Sequence, residues 1–238
     1  MKWFIPREHG AWAMLVVPYL IGTVVSGPTW NHLVFFIGVL SFYFASSAIL
    51  SYIRKPSLGK QVLPSLLVYT LIGCLFVVSY LIQQPTLIVL GLLIIPLFVI
   101  NLIFAKQKKE RLFINDAVAI ASFSFLVLIS YDLGTGQLDT HAYILMFVNY
   151  LFFIASVFHV KTFIRERGNK RFTLVSYGYH GGIVLIPLVI GYPLIALAFL
   201  TSACKTWVMP KKAKPKPAIL GIIEMANSLA FVLIITSL

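Results

Sequence analysis

The sequence predicts an all-α fold, a polytopic membrane bundle of about nine transmembrane helices. Three observations predict it. Of 238 residues, 60% are hydrophobic and only 11% charged, for a mean hydropathy of +0.94, whereas soluble domains carry about 25% charged residues. Apolar runs approaching the roughly 20 residues that cross a bilayer recur from one end of the chain to the other. The basic residues, finally, fall only in alternate connections between those runs, the pattern of a chain that threads a membrane back and forth.

The runs cover about 11–27, 31–53, 63–82, 86–105, 114–131, 142–160, 173–190, 192–208 and 218–237. The first follows Lys2 and Arg7, as a signal peptide would. No small-residue cleavage site stands out before the second run, so it reads as a retained helix. The seventh and eighth are separated only by Gly191-Tyr192-Pro193, the weakest boundary in the chain. Periodicity does not sharpen these limits, because a helix in lipid can be apolar all round. Pro18, Gly22, Pro96, Gly181, Gly182 and Pro187 interrupt runs and mark a cavity or helix kinks, and Gly181 and Gly182 beside His180 permit close helix approach. Trp3, Trp12, Trp30 and Trp207, near run ends, read as interfacial anchors. Cys74 and Cys204 lie in apolar runs and read as small buried residues, with no metal or disulfide spacing. Residues 1–238 read as a single integral membrane domain, with no linker that would set off a soluble one.

All 19 Lys and Arg fall in the N-terminal segment or in the connections after the second, fourth, sixth and eighth runs. The intervening connections have none, and the one after the fifth run carries Asp132, Asp139 and His141 instead. An error in the number of runs would scatter the charges over both sides. The expectation is a cytoplasmic N-terminus and an external C-terminus. The net charge of +12 lies in short connections at a membrane surface. It points to anionic lipid head groups, or an anionic substrate there, and away from nucleic acid.

The densest basic stretch is F-H-V-K-T-F-I-R-E-R-G-N-K-R-F-T, Phe158 to Thr173, with five basic residues around Glu166. On a helix, Ser156, His159, Phe163 and Glu166 share one face by three-and-four spacing. His159 paired with Glu166 or Glu8, with His9 nearby, is then a candidate acid–base site, since His titrates near neutral pH. The plainer readings are an interhelical hydrogen-bonded histidine and a basic anchor that sets topology. Asp116 reads as an acid at a helix N-terminus. Glu224, inside the last run, is costly in lipid unless it faces the bundle and pairs with a base.

Three segments resemble the UbiA superfamily of intramembrane prenyltransferases. R-E-H-G-A-W-A-M-L-V-V-P-Y-L-I-G-T-V-V, Arg7 to Val25, is similar to that family's first helix. The basic connection with Lys109 and Arg111 that leads into the fifth run is similar to its Lys-Arg loop. In the basic stretch, Lys161 stands where the family has Arg, Thr162 and Glu166 where it has Asp, and Lys170-Arg171 with Thr173 near its Gly-Lys-x-Thr end. The resemblance implies a UbiA prenyltransferase-like bundle. That family holds a prenyl diphosphate through Mg²⁺ clamped by two Asp-rich motifs. Here the first motif's position reads S-Y-I-R-K-P-S-L-G-K, without a carboxylate, and the second keeps Glu166 alone. Mg²⁺ wants several oxygen ligands in octahedral array, so no metal site and no cofactor is expected. R-E-H-G-A-W-A and H-V-K-T-x-I-R-E-R-G-N resemble the bacterial YwiC-like membrane proteins more closely, which implies a bacterial cell membrane and no settled activity.

The expected function is a membrane protein whose basic cytoplasmic mouth binds an anionic or isoprenoid-type lipid, for binding or transport without catalysis. The expected ligand contacts are Arg7, Arg54, Lys55, Lys161, Arg165 and Arg171. Its alternative is a metal-independent prenyltransferase-like enzyme. There the basic groups neutralise a diphosphate directly and His159, Glu166 or His9 moves the proton.

Overall fold

The computed structural model describes residues 3–6, 9–210 and 215–238, and of His9 the backbone alone. Among them are nine α-helices: α1 (His9–Val25), α2 (Trp30–Arg54), α3 (Leu63–Gln83), α4 (Thr86–Lys106), α5 (Phe113–Thr135), α6 (Thr140–Ile164), α7 (Lys170–Val189), α8 (Pro193–Val208) and α9 (Pro217–Ile235). A short 3₁₀ segment, Pro56–Gln61, joins α2 to α3. Seven helices are long and apolar enough to cross a membrane; α1 and α8, at 17 and 16 residues, fall short of that length. This is a multi-pass helical membrane protein.

The weak boundary between the seventh and eighth runs is a true helix end. Tyr192 N–H donates to the Pro187 carbonyl at 2.8 Å, and Gly191 takes φ +91°, a left-handed conformation that costs glycine nothing. The lipid-facing surface explains the two cysteines. Cys74 and Cys204 are exposed on the outside of the bundle and are not buried as their apolar neighbours suggest. In a helix that is apolar all round, burial depends on rotation, and hydropathy does not report rotation.

Contacts between neighbouring helices show them running antiparallel. Phe35 meets Tyr80 and Phe44 meets Tyr69 across α2 and α3; Asn101 donates to Asn115 across α4 and α5. Asn149 donates to Ser124 across α5 and α6, and Tyr179 to the Leu151 carbonyl across α6 and α7. The most enclosed element is α6, with 61% of its apolar span buried inside the bundle against 11% for α4. Its Phe152 stacks on Phe231 of α9 with centroids 3.9 Å apart.

Lipid tails are as apolar as Leu, so helices in a bilayer associate by close packing and hydrogen bonds. Both are visible where α1 crosses α5. A Cβ on Gly22 would sit 2.8 Å from the Tyr131 backbone nitrogen and closer still to the Val127 carbonyl, so only glycine fits. At the same end His32 ties three helices. Its Nδ1 accepts the Thr29 N–H at 3.1 Å, so Nε2 carries the proton and donates to the Ser130 carbonyl at 2.9 Å. Tyr19 of α1 donates to the His32 carbonyl. Asp139 caps α6 by accepting from Ala142 N–H, with Tyr131 O–H on its other oxygen. These hydrogen bonds, the backbone one first, hold its carboxyl below the usual carboxylate range.

The connections that carry the basic residues meet at the opposite end. Arg54, the last residue of α2, pairs with Glu110, after α4, at 2.6 Å. Lys161, near the end of α6, pairs with Asp116 at the start of α5 at 2.8 Å.

Candidate functional site

Two arrangements of polar side chains occupy the basic end of the bundle. The first is a cleft of about 370 Å³ lined by Arg54, Ala105, Lys108, Glu110 and Arg111. Arg54 binds the one acid in it, through Nε at 2.7 Å and Nη2 at 2.6 Å to Glu110 Oε1. Lys108 and Arg111 are exposed there, in no ion pair among the described residues. Lys108 has φ +57°, the one positive φ at a described non-glycine residue. It holds the position after the α4 C-cap, where Lys109 N–H reaches back to the Phe104 carbonyl at 2.9 Å. Glycine ordinarily fills that place, because a side chain there costs about 1–2 kcal/mol. The chain bears that cost and gains a cation on the cleft wall.

Lys161 shapes the cleft from behind. Its side chain is buried, and its ammonium donates to the Arg111 carbonyl at 2.8 Å as well as pairing with Asp116, and stands 5.8 Å from the centre of the Phe113 ring. It therefore fixes the Arg111 backbone and spends its charge on Asp116. Arg165 Nη1 reaches the same carbonyl at 3.4 Å. Lys55 is exposed at the end of α2, and Arg171 is exposed in the first turn of α7. Arg7 and Glu8 lie outside the described residues, as does the side chain of His9.

The second arrangement is buried between α6, α7, α8 and α9. Glu224 of α9 accepts two hydrogen bonds from Lys205 Nζ, both 2.6 Å, and one from Ser156 Oγ at 2.5 Å. His159 Nε2 is 3.8 Å from Glu224 Oε1. On its other side His159 Nδ1 meets Thr206 Oγ1 at 3.0 Å, and the same hydroxyl meets His180 Nε2 at 3.1 Å. His180 Nδ1 donates to the Ser176 carbonyl at 2.7 Å. His159, His180 and Thr206 are fully buried.

The expected pairing of His159 with Glu166 does not form. The helix ends at Ile164, before the face could extend to Glu166, and Glu166 instead accepts from Asn169 at 2.8 Å beside Gly168. Ser156, His159 and Phe163 do share a face, with the two rings 5.1 Å apart. The acid that meets His159 is Glu224, and its base is Lys205, which lies in the last turn of α8 rather than in the connection after it. The chain carried a signal for this pair. A carboxylate inside an apolar run requires a cation, and Lys205 stands near the end of the eighth run. Lys108 and Glu110 had no comparable signal, since a cleft between two connections has no sequence periodicity. No three His, Cys, Asp or Glu side chains gather as a metal site among the described residues.

A model of the YwiC-like protein family matches residues 5–131. The uncharacterized protein YwiC of Bacillus subtilis is 36% identical over 97% of this chain and 96% of its own length. An uncharacterized protein of Haemophilus influenzae is 27% identical over 99% of this chain and 98% of its own. No solved structure gives a significant match.

Proposed function

The chain belongs to the YwiC-like family of proteins, and we propose that it binds an anionic lipid head group in the cleft between Arg54, Lys108 and Arg111. In this reading residues 1–238 act as one integral domain of the bacterial cell membrane, with the N-terminus and basic end cytoplasmic and the C-terminus external. The partition of all 19 basic residues supports that orientation. Lipid binding or transport without catalysis is its role, and the lipid is of phosphate or isoprenoid-phosphate type.

The observation that carries the reading is the cleft itself. Its volume of about 370 Å³ is at the lower end of the range of small-molecule sites, about 300–1,000 Å³, enough for a head group with the tails left in the bilayer. Two of its cations have no ion-pair partner among the described residues, and one is held there in an unfavourable backbone conformation. Lys55, Arg165 and Arg171, exposed near the same end, add to the attraction for anionic lipid at about 1 kcal/mol each. Lys161 acts on the site through the Arg111 backbone.

A metal-independent prenyltransferase-like enzyme is the second reading. The observation that favours it is a buried acid–base pair at the same end, His159 with Glu224, that neither lipid docking nor topology requires.

Lipid retention by native mass spectrometry tests the proposal, on protein extracted into detergent and offered phosphatidylglycerol against phosphatidylcholine. A charge-assisted hydrogen bond contributes about 1.5–3 kcal/mol, roughly ten- to a hundred-fold in affinity. Lys108→Gln and Arg111→Gln each weaken phosphatidylglycerol binding by that factor, and Lys216→Gln, at an exposed residue outside the cleft, weakens it far less. Equal small losses at all three positions would refute a head-group site in this cleft. A bound prenyl diphosphate that is turned over would favour the enzyme.

A further inference from the structure

Asp132 stands inside a helix, where its apolar run had left it in the connection that follows. The run ends at residue 131, but α5 continues to Thr135 and holds Asp132 in its last turn. The side chain is fully buried there, and neither carboxylate oxygen has a hydrogen-bond partner among the described residues. Counter-charge is equally scarce, since the chain has no lysine or arginine from 61 to 105 or from 112 to 160. The helix itself disfavours an anion at this position, because its C-terminal end carries partial negative charge.

The helices packed against α5 are α1, α2, α4 and α6. At this end of the bundle α1 has Tyr19, bound to the His32 carbonyl, and α2 has His32, held between Thr29 and Ser130. From Thr86 to Ala105, α4 has no titratable side chain. The start of α6 brings His141 and Tyr143, with Asp139 as its cap. His141 sits beside the Tyr131 ring, and none of these groups bonds to Asp132. Two carboxyls at one end thus have opposite surroundings. Asp139 accepts from Ala142 N–H and Tyr131 O–H and is ionised, whereas Asp132 has no donor and a second negative charge is unwelcome.

A proton is what this level of the bundle lacks. The Asn101–Asn115 contact sets the antiparallel register of α4 on α5. Equal numbers of residues back from Asn101 and on from Asn115 lead to Gln84 and Asp132, so the two stand at one level. Gln84 Oε1 is buried there, also without a donor among the described residues. A proton on Asp132 turns one of these orphan acceptors into a donor.

We propose that Asp132 is a proton-binding site at the end of the bundle opposite the basic one, filled at neutral pH and emptied through the turn after α5. An isolated carboxylate in a site closed to water takes up a proton in preference to remaining charged. The site is one helical turn from Gly136, whose N–H binds the Asp132 carbonyl at 2.7 Å, and residues 134–137 are exposed. Opening of that turn admits water. The O–H bond of Asp132 then breaks, a water molecule takes the proton as hydronium, and water hydrates the carboxylate left behind. Closing reverses the step, and nothing is oxidised or reduced. Proton release is thereby coupled to opening of this end, a role in keeping with ionisable side chains inside membrane bundles. The site is independent of what the basic cleft binds.

The chain has three aspartates, Asp116, Asp132 and Asp139, so NMR of the full-length protein labelled with ¹³C-carboxyl aspartate, in lipid nanodiscs, reads the site directly. One of the three signals has the shift of a neutral carboxyl at neutral pH, is lost in Asp132→Asn, and moves to the ionised position as the pH is raised. Replacing choline chloride by sodium chloride leaves it unchanged. Asparagine has the shape of the neutral acid, so the variant is expected to fold. Should it fail to, infrared spectra of the native protein with and without the label give the same reading, because the label displaces the C=O band of a protonated aspartate and leaves that of a glutamate in place. Three ionised signals at neutral pH would overturn the proposal. So would a neutral signal that survives Asp132→Asn, or one that stays neutral at every pH at which the protein is folded. A neutral signal present in choline chloride and absent in sodium chloride would make sodium the occupant and overturn the proton.

Discussion

Replacing Glu224 by Gln keeps the shape of the buried network and removes its charge. The consequence follows from what Glu224 holds. Lys205 Nζ places two hydrogen bonds of 2.6 Å on the carboxylate, and its side chain is only 12% accessible. Without the carboxylate the ammonium is left uncompensated in a site closed to water, and breaking a buried pair in this way costs about 3–5 kcal/mol. For soluble chains of this length 1 kcal/mol moves Tm by about 2–4 °C, so the expected fall is about 6–20 °C. Removing both charges together should behave differently. In Lys205→Met with Glu224→Leu neither desolvation penalty remains, and the doubly substituted protein should match the native one or exceed it, by up to about 4 kcal/mol. The measurement is unfolding in mixed detergent and denaturing micelles, read as a double-substitution cycle over the four proteins. A loss below about 1 kcal/mol for Glu224→Gln, the level of an exposed pair, would refute the premise that the pair is desolvated. A double variant as unstable as the single one would refute the claim that uncompensated charge is the cause.

Two further outcomes follow from the packing and the charge pattern. Gly22→Val should force α1 away from α5, because its Cβ would meet the Val127 and Tyr131 backbone; the cost is about 1–3 kcal/mol, read as lowered thermal stability, and an unchanged Tm would contradict the crossing. A cysteine accessibility reporter at Gly136 should label from outside the cell and one at Lys108 only after the cytoplasmic side is opened; the reverse pattern would overturn the proposed orientation.

The helical architecture was legible because its signals are local. A run of apolar residues has to form a helix in lipid, where every backbone group must be satisfied within its own segment. The runs read from composition agree with α1 to α9 to within a few residues, including the short turn at Gly191. The basic end of the bundle was legible for the same reason, since it follows from which connections carry charge. Glu224 could be singled out as an acid that needs a cation, and Lys205 as a cation near the end of a run, yet nothing in the chain joined the two to His159.

The candidate site was legible only in part, and the reason is geometric. The expectation that Glu166 joins His159 extended a helical face by two turns, but the helix ends at Ile164 and the face ends with it. Lys161 read as a ligand-binding cation and is occupied by Asp116 and the Arg111 carbonyl, both about 50 residues away in sequence. Lys108 and Arg111 had only the look of ordinary loop charges, and the cleft they share with Arg54 exists because two connections meet.

The sequence by itself determined that this is a membrane protein, how many helices it has, and which end of the bundle is basic. Those properties depend on the transfer of short segments from water to lipid, and each segment carries its own transfer free energy. Tertiary structure alone decided which acid meets which base, that one threonine bridges two histidines, and that Gly22 is the point of closest approach. Such pairings depend on how each helix is rotated and tilted against its neighbours. Helices apolar on every side do not encode rotation in their hydropathy, so it is set by the packing of the whole bundle.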